Sequence, residues 1–168
     1  MRVNRAIAVV FFVCWSVHCG SRNRGASEDP RPPSQSGPPA AVEGAAGRYE
    51  PSVTWRPASV VGGDLNCDER QDHAILGTSH ADIVVAVFLA GTNQRPEVLR
   101  YSSGVRDPAS VVLMIEDLDH DTKTDGGSGL PGFRRSKTCK GLNLSDGKMD
   151  AAHIYWNHDD KRFSDWVR

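Results

Sequence analysis

A chain of 168 residues has room for one ordinary domain. Its formal net charge of −1 excludes the basic surface that nucleic-acid binding requires. Lys and Arg are scattered, and Arg134-Arg135 is too short a cluster to form a patch.

Residues 1–19 read as a targeting segment. Arg2 and Arg5 give a basic start, and an apolar run follows at 6–17. That run is shorter than the roughly 20 residues a membrane span needs and matches the apolar core of a signal peptide. Ser16-Val17-His18-Cys19-Gly20-Ser21 resembles a bacterial lipobox. The resemblance implies lipidation at Cys19, which would become the mature N-terminus and tie the chain to a membrane. Lipoboxes prefer Leu where Ser16 stands and a small residue where His18 stands, so ordinary secretory cleavage nearby is the alternative. Both readings export the protein, to the cell envelope, periplasm or exterior. Two cysteines then remain, Cys67 and Cys139, and an even pair in an exported chain predicts a disulfide.

Residues 20–50 are rich in Ser, Gly, Ala and Pro, with prolines at 30, 32, 33, 38 and 39. They show no apolar period, and the expectation is a disordered tether. The folded part is expected at 51–168, as a small disulfide-bonded, mainly β domain, sandwich or meander. Short strands are expected at 52–55 and 58–61, broken by Pro57, and at 73–76. Residues 82–90 (Asp-Ile-Val-Val-Ala-Val-Phe-Leu-Ala) are apolar almost throughout, which predicts a central strand buried on both faces. Gly91-Thr92-Asn93-Gln94 marks a turn, and 98–101 should return as the partner strand. Residues 110–115 form another apolar strand candidate. Ala152–Asn157 and Arg162–Val167 flank His158-Asp159-Asp160-Lys161 and predict a β-hairpin, with Trp156, Phe163 and Trp166 on its apolar side.

The chemistry concentrates at 64–76. Asp64, Asn66, Asp68 and Asp72 hold positions 1, 3, 5 and 9 of an acidic loop. Alternate residues of a tight loop turn their oxygens to one centre, and calcium takes six to eight oxygen ligands at about 2.3–2.6 Å. The Arg70 carbonyl would join at position 7. The stretch resembles the acidic loop of FG-GAP and VCBS-type repeats, the calcium loops of integrin α-chain propellers. That resemblance implies a structural calcium ion held by these five residues. Cys67 and Glu69 stand where that pattern often has Gly, and Glu at the sixth position is strained if the loop needs positive φ there. Position 12 is Ile75, so the loop is not an EF-hand. The alternative is a solvated Asp/Asn-rich turn.

Asp117, Asp119, Asp121 and Asp125 repeat the same spacing, but flexible Gly126-Gly127-Ser128-Gly129 follows instead of a strand, so a solvated acidic loop is expected. Asp146-Gly147-Lys148-Met149-Asp150 echoes the back half of the motif; Leu142 and Leu144 occupy its first ligand positions. The echo raises a degenerate internal repeat, or chance likeness between turns. The wider pattern, from Asp64 through Gly132–Cys139 to Ile154-Tyr-Trp-Asn-His, resembles a family of uncharacterised bacterial exported proteins, which implies a compact disulfide-bonded head and no particular activity.

No G-x-S-x-G, H-E-x-x-H or glycine-rich phosphate loop occurs. His153 and His158 lie five apart, on opposite faces of a strand. The expectation is an envelope binding or structural module whose ligand is an envelope protein or a glycan. A small periplasmic hydrolase using carboxylates or a loop-bound metal is the other class. Acidic side chains converging on a pocket away from the loop would favour the hydrolase.

Overall fold

The computed structural model describes residues 38–80, 82–102, 107–121, 129–148 and 151–167. The lipobox-like Cys19 and residues 20–37 of the expected tether lie outside them. Two antiparallel sheets make up the domain. In the first, β3 (Asp72–Ser79), β4 (Asp82–Phe88) and β5 (Glu97–Ser102) form a meander. The short strands β1 (Thr54–Trp55) and β2 (Val61–Gly63) both pair with the free edge of β3. The second sheet is a meander of β6 (Val112–Asp117), β7 (Lys140–Ser145), β8 (Ala152–Asn157) and β9 (Arg162–Val167).

The sheets pack face to face. Ala74, Leu76, Ile83, Val85 and Val87 from the first meet Leu113, Leu142, Leu144, Ile154 and Phe163 from the second in one buried cluster. The period of two along β4 sends Val84, Ala86 and Phe88 to the other side, and these are equally buried. β4 is therefore central and covered on both faces, as its composition predicts.

The cover on the outer face corrects the expected tether. Pro38–Tyr49 is an α-helix, α1, inside the 20–50 segment. Its two prolines fall in the first turn, where no intrahelical N–H is lost. Val42, Ala45 and Ala46 are buried, and Tyr49 continues their stripe at helical spacing against Trp55, Ile75, Val84 and Phe88. Arg100 on β5 meets Glu50, just past the helix end, at 2.7 Å.

Three further expectations change. Residues 58–61 are not a strand: Pro57–Ser59 is a 3-10 turn, and the strand begins at Val61. Its position is fixed by Arg56, which reaches the carbonyls of Pro108 and Val111. The C-terminal hairpin forms in the expected register, Trp156 opposite Phe163, but Trp166 pairs with His153 and so lies on the opposite face. Lys140–Ser145 is a strand that the chain's turn-like motifs masked.

Candidate metal centre

Gly63 pairs with Asp72, so the acidic loop is the connection of the β2–β3 hairpin. Asp72 opens β3 and is fully buried. One of its carboxylate oxygens accepts the N–H of Leu65 at 2.9 Å, and the other that of Ala90 at 2.7 Å. Leu65, itself fully buried, plugs the loop into the core. Burial pushes the Asp72 carboxyl up, and the N–H groups of Ala90 and Leu65 pull it back toward the ionised form.

The other loop side chains fold the backbone around themselves. Asp64 accepts the N–H groups of Asp68 and Glu69, each at 3.0 Å. Asn66 Oδ1 accepts the same Asp68 N–H at 3.1 Å, and its amide nitrogen donates to Asp68 Oδ2 at 3.2 Å. Asp68 Oδ1 accepts the N–H of Arg70 at 3.0 Å. To make these turns Cys67 and Glu69 adopt φ of 65° and 64°. The loop does take positive φ at its sixth position, Glu69, and a side chain there costs roughly 1–2 kcal/mol.

Two long-range ties hold this geometry. Cys67 and Cys139 form a disulfide with Cα atoms 5.1 Å apart. Beside it, the N–H of Lys140 donates to the Asp64 carbonyl at 2.8 Å. The hairpin loop is thus pinned to the start of β7 by a covalent and a hydrogen bond.

Asp64, Asp68 and Asp72 each bring a carboxylate oxygen within 4.8 Å of the others, and Asn66 is joined to them through Asp68. These residues fit a hard cation. A carboxylate oxygen that accepts one N–H keeps a further lone pair, and three carboxylates this close favour a positive charge between them. An open depression of about 350 Å³ adjoins the loop, lined by Asp64, Glu69, Arg70, Gln71 and Thr138.

The other acidic stretches go elsewhere. Asp117 turns to Lys140 at 2.5 Å and Asp119 to Arg135 at 2.6 Å, with buried Leu118 between them. Asp125 lies outside the described residues. Leu142 and Leu144 are core residues of β7, which accounts for their place in the third echo without a repeat. Asp146 accepts the Lys148 N–H at 2.9 Å; Asp150 is outside the described residues.

Sequence reasoning missed one further cluster, on the outer face of the second sheet. His153 Nδ1 and Glu116 Oε2 are 2.8 Å apart, Asn143 reaches the same oxygen at 3.4 Å, and Trp166 stacks on the imidazole. Glu116 Oε1 and Trp166 Nε1 are buried without hydrogen-bond partners. The cluster comes from all four strands of the second sheet and becomes readable only once their register is known. Comparison with protein-family models, with curated proteins and with solved structures finds no match to this chain.

Proposed function

We propose that this chain is an exported, lipid-anchored module of the cell envelope that binds an envelope protein or a glycan. Calcium in the Asp64–Asp72 loop would be structural. The observation that carries the calcium reading is the approach of three carboxylates to within 4.8 Å, one of them fully buried at the start of a core strand. An ion there would offset the mutual repulsion of the three carboxylates and would join the exposed part of the hairpin to Asp72. The disulfide-bonded β domain suits an oxidising compartment. Among the described residues no helix is long and apolar enough to cross a membrane. Attachment in this reading is through Cys19. Asp64, Asp68 and Asp72 each hold backbone N–H groups of the turn, which suits a structural role for the loop.

Thermal melts with calcium and with chelator test the ion. At a calcium concentration 100 times the dissociation constant, binding adds about 2.7 kcal/mol. For a domain of this size that raises the midpoint by on the order of 10 °C. Asp68→Ala should abolish the rise and Asp121→Ala should keep it. Equal midpoints in the wild type would remove calcium from the account. Fractionation tests the anchor: Cys19→Ser should release the protein from membranes, and an unmodified N-terminus downstream of Cys19 would exclude lipidation.

A further inference from the structure

The two halves of the acidic loop are held in different ways. Its base is fixed to the core: Leu65 and Asp72 are fully buried, and the Lys140 N–H donates to the Asp64 carbonyl. Its outer turn, 66–70, is held mainly by itself. Among the described residues, the hydrogen bonds of Asn66 and Asp68 all end within the loop. What carries this turn to the body of the domain is the covalent bond from Cys67 to Cys139.

That bond enters the turn between two ligand positions, Asn66 and Asp68. Its far end is firmly seated. Cys139 is buried against Leu118 and Tyr155, and Ser136 Oγ accepts its N–H at 3.0 Å. The conformation at its near end is one a free chain avoids. Cys67 and Glu69 both stand in the left-handed region, which L-residues disfavour. The carboxylates of Asp64, Asp68 and Asp72 are crowded within 4.8 Å of one another, and like charges oppose that approach. With the bond cut, the turn would relax toward ordinary backbone angles and spread its ligands.

We propose that the Cys67–Cys139 disulfide is a redox switch for the cation site. Oxidised, it holds Asn66 and Asp68 in the ligating arrangement; reduced by a dithiol protein of the thiol–disulfide oxidoreductase class, the loop binds calcium more weakly. The proposal rests on the calcium reading above. Cys67 is half-buried and Cys139 fully buried, so the incoming thiolate attacks the Cys67 sulfur. The S–S bond breaks, and Cys139 leaves as a thiolate that takes up a proton. The second thiolate of the reductant then attacks its own partner sulfur in the mixed disulfide. Cys67 is released as a thiol, the reductant keeps a disulfide, and two electrons have passed to the protein. Linkage makes the coupling reciprocal: calcium protects the bond by the same factor that the bond raises calcium affinity.

Calorimetric titration of calcium chloride into the oxidised full chain and into Cys67→Ser/Cys139→Ser measures the coupling. Giving up even one left-handed residue weakens binding by about tenfold, so at least that loss is expected in the variant. Thermal melting checks that the variant is folded. Ile83→Ala, a core change opposite Thr78 at the far end of β3 from the loop, should bind calcium as the wild type does. A second measurement uses the wild type and needs no serine variant. In dithiothreitol redox buffers, saturating calcium should raise the ratio of oxidised to reduced protein by about tenfold, and Asp68→Ala should erase that effect. Absence of calcium binding in the oxidised wild type would remove the ion and the switch together. Equal affinity in the folded serine variant, equal weakening in Ile83→Ala, or a ratio that calcium does not move would overturn the switch and leave the calcium reading standing.

Discussion

The carboxylate of Asp72 accepts the N–H of Ala90 at 2.7 Å across eighteen residues of sequence. Its other oxygen holds Leu65, so one side chain fastens the acidic loop to the core and to the end of β4. This anchor works without any metal. In chelator, Asp72→Ala leaves two N–H groups without an acceptor, at about 1–3 kcal/mol each, so a loss of about 2–6 kcal/mol is expected. Asp68→Ala, whose partners are exposed, should lose much less under the same conditions. Urea unfolding measures both. Equal midpoints for the two variants would show that Asp72 is not the anchor.

The disulfide ties the same loop from its other side. Cys67 and Cys139 are 72 apart in sequence, and closing a loop of that length stabilises by about 4 kcal/mol in the chain-entropy model. The double variant Cys67→Ser/Cys139→Ser should lose stability of that order. Thiol labelling of denatured, unreduced protein checks the bond itself, and two reactive thiols would contradict it.

Helix α1 makes the third prediction. Starting the chain at Pro51 removes Val42, Ala45 and Ala46 from the outer face of the first sheet and uncovers Ile75, Val84 and Phe88. Re-exposing a large apolar side chain costs about 1.5–3 kcal/mol, so the truncated domain should lose several kcal/mol and bind an apolar-surface dye. A truncated domain that melts like the full chain would mean that α1 only rests on the sheet.

That helix also shows where the sequence was legible and where it was not. β3, β4, β5, β8 and β9 announce themselves through apolar, β-branched or aromatic runs between turn signals. The stripe of α1 is built from Val and Ala among prolines and glycines, a composition that reads as linker. The requirement for it was nevertheless written in β4, whose apolar residues on both faces need two covers. In β7, Leu142 and Leu144 alternate with Asn143 as a strand should, yet beside Asp146 they resemble failed ligand positions. The acidic loop was readable because its spacing is local. Its ties to Ala90, Cys139 and Lys140 depend on how distant strands meet, and only the cysteine pair left a trace in the sequence.

Glu97 gives the last prediction, a pH dependence. Its Oε1 accepts the N–H of Phe163 at 2.9 Å, linking the edge strands β5 and β9 across the sandwich. Burial raises its carboxyl above the ordinary value of 4.5, while the Phe163 N–H and the charge of Arg162 pull it partly back. The folded state therefore holds this proton more tightly than the unfolded chain. Stability from this group is fully present below the unfolded value and is lost as pH rises through the folded one. Glu97→Gln keeps an acceptor for Phe163 and removes the charge. Relative to the variant, the wild type should hold its own near pH 4 and lose ground as pH rises to 7. Asp72 and Asp165 also titrate high, with the same sign, but both are present in the two proteins and cancel in the difference. Urea midpoints at fixed calcium across this range decide the matter. Parallel curves for wild type and Glu97→Gln would mean that the carboxylate keeps its water and carries no pH-dependent strain on the sandwich.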